Sequence, residues 1–396
     1  MKSNLFRFYI VYFLLNTINN LIHPITPAYI KLMNMPNYMF GLLYSSMAIG
    51  HLMLSPFWGD LSDRVGRIPI IRICIGGYAL GQLGFAIFSI PQIVLLCRFL
   101  SGLFSGGFQV TALAYIADTT FEENKPKALS FYAAVSTIAC SFGFFIGGMI
   151  GTINIYYTFI LQILLLSCET IFLDKYLPES LTEKNKNKEK LNIIQSLRIF
   201  DLKKGKKILS FPIIIFFIGV MLSEFSRVGF NNSFNFHLKA GLNLPPSYNG
   251  TIMGVIGILS LVVNLSINPY IIKRYNLRKT LPLILIINSF IGFLLIIFNK
   301  NINLFFTISI MFYMFNALYI PIQQSLYTEG YNKNYGLLSG YFNASKSIGM
   351  ILGGLISGFA YNYFTMFPFI IVSISFLIAG ILYIINCKQF IITVHK

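Results

Sequence analysis

The sequence predicts an all-α membrane protein of twelve transmembrane helices in two six-helix halves. Three observations point there. Of 396 residues, 56% are hydrophobic and only 11% charged, where a soluble globular protein carries about 25%. Twelve apolar runs each approach the roughly 20 residues that cross a hydrocarbon layer as a helix. One long polar stretch divides these runs six from six.

The first run, 8–30, is too long for a signal-peptide core and lacks a small-residue cleavage site, so it reads as a spanning helix. Runs at 39–58, 69–90, 93–115, 128–150 and 154–173 complete an N-terminal bundle, 1–173. Residues 174–208 form a basic linker containing Lys203-Lys204-Gly205-Lys206-Lys207. Runs at 209–236, 248–268, 280–298, 303–324, 336–359 and 365–386 make a C-terminal bundle, 209–396. An even count puts both termini on one side of the membrane. The outer loops then hold only Lys31, Lys239 and Lys300, spans hold Arg98, Arg227 and Lys346, and the other 24 of 30 Lys/Arg are on the inner side. Basic flanks stay cytoplasmic, so both termini face the cytoplasm and the chain sits in the inner (cytoplasmic) membrane. The formal charge of +17 is thereby a topology signal, and no nucleic-acid partner is implied. The five cysteines lack metal-ligand spacing and read as small core residues. No cofactor or metal is called for.

The segment Gly59-Asp60-Leu61-Ser62-Asp63-Arg64-Val65-Gly66-Arg67 packs two carboxylates, two guanidiniums and two glycines between spans 2 and 3. It reads as a very short loop at a membrane face. A second pattern is internal. Gly143-x-x-x-Gly147-Gly148 in span 5 recurs as Gly349-x-x-x-Gly353-Gly354 in span 11, 206 residues later. Small residues spaced by four let helix backbones approach closely in lipid, and recurrence at the equivalent span indicates a duplication. The loop after span 8, from Lys273 to Arg278, keeps the basic residues of the Gly59–Arg67 motif and lacks its acids.

Two six-helix halves with Gly-x-Leu-x-Asp-Arg-x-Gly-Arg after span 2 resemble the major facilitator superfamily, especially its twelve-span drug/proton antiporters. Span 1 ends His23-Pro24-Ile25-Thr26-Pro27, similar to the paired prolines found there. Arg98-Phe99-Leu100-Ser101-Gly102 is similar to the Arg-x-x-Gln-Gly motif, with Ser101 in the glutamine position. Leu177-Pro178-Glu179-Ser180 is similar to a frequent ending of span 6. In span 5, Phe144 stands where the antiporter motif has proline. The resemblance implies the major facilitator fold, a small-molecule substrate, protons as coupling ion, the lipid bilayer as partner and a functional monomer. It also implies that Gly59, Asp60, Asp63, Arg64, Gly66 and Arg67, with Asp118 completing the cluster, form a latch for the outward-facing state. Asp60 would meet the positive N-terminal end of span 11.

Ionisable residues inside spans are costly and usually functional. Arg98, Gly102 and Gly106 share one helical face, and the resemblance associates such an arginine with proton coupling or an anionic substrate group. Glu224 and Arg227 lie three residues apart in span 7. They either pair with each other, or Glu224 is the proton carrier, since a carboxylate in a cavity can alternate between charged and protonated forms. Lys346 is a substrate counter-ion or the partner of Glu224. Glu169, near the inner end of span 6, reads as snorkelling to the membrane surface. Span 1 offers Asn16, Asn19 and Asn20 where many drug antiporters carry an acid. Gln109, Asn316, Gln323 and Asn343 suit a cavity wall. With 39 Phe and 23 Tyr, an amphipathic organic substrate is expected.

These features point to a secondary transporter, with proton-coupled efflux of a drug, tetracycline or metallophore as the leading activity. A facilitator or importer of a small metabolite with the same fold is the alternative, and a non-transporting receptor or scaffold a remote third. No nucleophile motif or acid/base cluster supports an enzyme, and no Gly-x-x-x-x-Gly-Lys-Ser/Thr sequence supports ATP drive.

Overall fold

The computed structural model describes residues 2–181, 210–328 and 335–394, and no strand occurs among them. Helices α1 (Lys2–Asn20) and α2 (Thr26–Leu32) occupy the first apolar run. They are followed by α3 (Met39–Val65), α4 (Arg67–Ile87), α5 (Pro91–Thr119), α6 (Lys125–Ile153) and α7 (Ile155–Tyr176). The predicted linker lies outside the described residues from 182 onward. Beyond it come α8 (Phe211–Ala240), α9 (Pro246–Val262), α10 (Asn268–Arg274), α11 (Leu277–Ile297), α12 (Ile302–Thr328), α13 (Tyr335–Tyr363) and α14 (Phe367–Val394).

Ten described helices are long and apolar enough to cross a membrane, with α9 and α10 counted as one span. The first and eleventh of the twelve expected runs fall outside that set. The first run is broken: α1 stops at Asn20 and a turn over 21–25 precedes α2. Pro24 has no amide to continue the helix, and Asn16 and Asn20 bond back to the Tyr12 and Asn16 carbonyls. The eleventh, α13, is 29 residues long but carries Asn343 and Lys346 among several serines. In the eighth span, α9 passes through a π turn (Val263–Ile267) into α10. Pro269 lacks an N–H, and the wider turn accommodates that loss. Asn268 pins the bend by donating to Asn264 Oδ1 at 2.7 Å and to the Ala317 carbonyl at 2.9 Å.

The chain forms two compact units. The first comprises Met1–Met39, Ser46–Arg198 and Leu238–Gly257; the second comprises Phe40–Ser45, Ile199–His237 and Ile258–Lys396. Inside the first, Tyr12 stacks on Tyr132 at 4.3 Å and Phe8 on Tyr115 at 4.6 Å. Inside the second, Phe230 lies flat on Phe312 at 3.6 Å and edge-on to Phe369 at 5.4 Å. Lipid tails are as apolar as these side chains, so close packing and buried hydrogen bonds decide which faces meet.

The repeated glycines make repeated contacts. A Cβ at Gly143 would strike the Thr17 carbonyl in α1 and one at Gly147 the Leu21 carbonyl in the turn after it, so these residues let α6 lie on α1 and its following turn. A Cβ at Gly349 or Gly353 would strike the Met221 or Phe225 carbonyl, so α13 lies on α8 in the same way. The neighbouring glycines extend the symmetry. Gly148 abuts Pro246 and Gly250 within the first unit, and Gly354 abuts Gly41 and Ser45 within the second. This is why 238–257 and 40–45 join those units. Gly102 and Gly106 admit the α3 backbone at Met47 and His51.

Candidate functional site

The charged motif is not a loop. Helix α3 continues to Val65, α4 begins at Arg67, and Gly66 alone joins them with φ +127°. The motif can remain helical because its charges are four apart: Asp60 pairs with Arg64 at 2.8 Å, and Asp63 pairs with Arg67. Arg67 is buried, and its Nε lies 2.8 Å from Asp118 Oδ2 at the end of α5. It also donates to Ser62 Oγ at 2.7 Å. A buried guanidinium is tolerated only when paired in this way. Gly59 sits where a Cβ would press on Val110 at 3.2 Å. The expected meeting of Asp60 with span 11 concerns side chains at 335–339, which lie outside those described.

One member of the cluster was not among the expected site residues. Glu179 Oε1 accepts the Arg67 amide at 2.9 Å and Oε2 accepts the Ile68 amide at 3.1 Å, so a carboxylate caps α4 from beyond α7. Its Oε1 also accepts the Ser180 and Leu181 amides, and Ser180 bonds Asp118 at 3.2 Å. An anion at a helix N-terminus is favoured by the exposed amides and the helix dipole. A Cβ at Gly66 would come within 2.6 Å of this carboxylate. Glycine is thus required there twice, by its φ and by its neighbour. The sequence signal was the acid after Pro178.

The second site is buried in the second unit. Glu224, only 1% exposed, takes both Nε and Nη2 of Arg227 on Oε2 at 2.8 Å. Its Oε1 lies 3.5 Å from Lys346 Nζ. The structure therefore brings three of the four expected intramembrane charges together, two cations around one carboxylate. Arg227 and Lys346 keep 32% and 24% of their side chains exposed. Glu224 lies about 20 Å along α8 and Lys346 about 17 Å along α13 from their N-terminal ends, near mid-length of each. The fourth, Arg98, is buried in the first unit with its guanidinium 5.0 Å over the Phe85 ring.

The expected wall residues divide. Gln109 and Asn343 are exposed. Gln323 is buried and donates to Ser223 Oγ at 3.0 Å and Tyr383 Oη at 2.8 Å. Asn316 is buried and accepts from Asn288 at 3.3 Å. Both belong to the polar packing of the second unit. Glu169 does not snorkel: its two carboxylate oxygens are buried and have no hydrogen-bond partner among the described residues. It falls on the inward stripe of α7 between Leu166 and Leu173, both fully packed.

Comparison with known proteins agrees with this architecture. The family model described as Major Facilitator Superfamily matches residues 8–266 and 216–389. Multidrug resistance protein 2 of Bacillus subtilis is 23% identical over 353 residues, covering 88% of this chain and 86% of that protein. Quinolone resistance protein NorA of Staphylococcus aureus is 26% identical over 154 residues, 39% of this chain and 40% of its own length. Among solved structures, the human organic anion transporter MFSD10 superposes with a TM-score of 0.69 over 96% of this chain and 99% of that one, at 18% identity. Nucleoside transporter NupG gives 0.74 over all of both chains at 14% identity. At such identities these structures establish the fold. With a family model spanning nearly its whole length, the chain belongs to the Major Facilitator Superfamily and is a multi-pass membrane transporter, not an enzyme.

Proposed function

We propose that the protein exports an amphipathic organic compound from the cytoplasm by alternating access, coupled to proton entry. The observation that carries this reading is the Glu224–Arg227–Lys346 triad. Three charges at mid-length of spanning helices are costly in lipid and are kept where substrate or ions pass. The nearly full-length relationship to a multidrug resistance protein supports the outward direction. Arg67, Asp63, Asp118 and Glu179 suit a latch, because they gather at the junction of two spanning helices and can exchange partners if those helices move. The two six-helix halves, 1–173 and 209–396, would rock around the substrate as a monomer, both termini cytoplasmic.

The proton is assigned to Glu169. Glu224 is committed to two cations, whereas the two Glu169 carboxylate oxygens are buried with no hydrogen-bond partner among the described residues, a setting in which a lasting charge is costly. Transport of a panel of fluorescent compounds in inverted vesicles with an imposed pH gradient tests the proposal. Uptake that collapses with the gradient is expected. Gradient-independent equilibration would instead support a facilitator, a reading favoured by the absence of an acid from the first span.

A further inference from the structure

We infer that the exported compound carries an anionic group, and that this group docks on the exposed faces of Arg227 and Lys346. The inference rests on the export reading above and names its substrate class. After residue 209 the chain has only two acids, Glu224 and Glu329, and only Glu224 lies among the described residues. It is 1% exposed, and each of its carboxylate oxygens already faces a cation. A positively charged compound reaching this part of the second unit would find no accessible carboxylate among the described residues. It would meet a site with two positive charges against one negative.

An anion finds the opposite. One formal negative charge brings the triad to neutrality, which relieves the cost of an unbalanced cation within the membrane. Arg227 engages Glu224 through Nε and Nη2, and about a third of its side chain remains accessible. A guanidinium presents a planar fork that matches carboxylate, sulfonate or phosphate oxygens. Lys346 supplies a second, more flexible donor. Asn343, exposed and one turn before Lys346 on the same face of α13, adds a neutral amide. Phe342, buried in the core of the second unit with its ring 5.7 Å from Lys346 Nζ, steadies the lysine from the protein side. Charge and donors together describe an organic acid or a zwitterion held by its acidic end.

The test uses the full-length protein in proteoliposomes and three fluorescent amphiphiles of similar size: a sulfonated naphthalene dye, a neutral dye and ethidium. Saturable transport of the sulfonated dye is expected, with ethidium carried at least about tenfold less efficiently. Lys346→Gln should raise the KM for the sulfonated dye about tenfold with a smaller effect on kcat, and Lys346→Arg should restore it. Asn343→Ala, on an exposed position, should raise that KM a few-fold. Efficient ethidium transport without transport of the sulfonated dye overturns the anionic assignment and leaves export standing. Failure of all three dyes to move along an imposed gradient overturns the export reading itself. A wild-type preference for the anion with an unchanged KM in both Lys346→Gln and Asn343→Ala overturns the placement of the site.

Discussion

Replacing Glu224 by Gln keeps the volume of the side chain and removes the only negative charge from the triad. Arg227 and Lys346 would then face each other across a neutral amide. At an effective dielectric of about 20, opposite charges roughly 3 Å apart interact by about 5 kcal/mol, and Glu224 lies 2.8 Å and 3.5 Å from its two partners. Much of that attraction offsets the cost of burying the charges. Breaking a buried pair by removing one partner typically costs about 3–5 kcal/mol. Arg227 and Lys346 are partly exposed and can recruit water, so the lower end applies, about 3 kcal/mol. Lys346→Gln removes the more distant cation and leaves a neutral Arg227–Glu224 pair, so its cost should be about 1 kcal/mol. The double variant should cost about 2 kcal/mol, less than either path predicts by addition, because the uncompensated repulsion is gone. Unfolding in detergent, followed by circular dichroism across the three variants, reads these differences. A Glu224→Gln variant within about 0.5 kcal/mol of the parent would refute the reasoning. So would a double variant less stable than Glu224→Gln alone.

Glu169→Gln imitates the protonated acid, so the variant should fold and insert normally and carry substrate without responding to a pH gradient; an unaltered gradient response in vesicles would contradict the assignment. Glu179→Ala removes the cap shared by the Arg67 and Ile68 amides and should cost about 1–2 kcal/mol, measured as a lower midpoint in thermal unfolding, with Glu179→Gln losing about half as much. Gly66→Ala forces a β-carbon into a positive φ and against that same carboxylate, so a loss of about 1–3 kcal/mol is expected, partly recovered in the Gly66→Ala/Glu179→Ala double variant. Gly147→Val and Gly353→Val should have matching effects on yield and melting, since each drives a side chain into a backbone carbonyl of the facing segment. A tolerated substitution at one and a severe one at the other would deny the structural equivalence of the two motifs.

Most spans were legible as runs of apolar residues because lipid requires about 20 of them in a row. The interruption at Asn20 was less visible, since the apolar run resumes on the far side of it. The glycine repeat was legible, and its partners were not: spacing by four marks a close helix crossing, but nothing in Gly143 or Gly353 says that α1 and α8 receive them. The charged motif between the second and third spans looked like a loop because charge density usually means exposure. Residues four apart can instead satisfy one another along a helix, and only Gly66 needed to break it. Glu179 caps a helix more than a hundred residues away, a relation with no periodic trace. Gln323 and Asn316, expected on a cavity wall, bond Ser223, Tyr383 and Asn288 inside the second unit. Polarity identifies a need for partners and leaves open whether the protein or a substrate supplies them. Lys346 was open between two partners; the structure sets it beside Glu224 and leaves part of its side chain accessible.

The most direct measurement is of proton movement itself. Proteoliposomes loaded with a pH-sensitive dye and held acid inside should alkalinise when a transported compound is added outside, at a rate that saturates with the compound and falls in Glu169→Gln. Movement of the compound with no accompanying change in internal pH would contradict proton-coupled export.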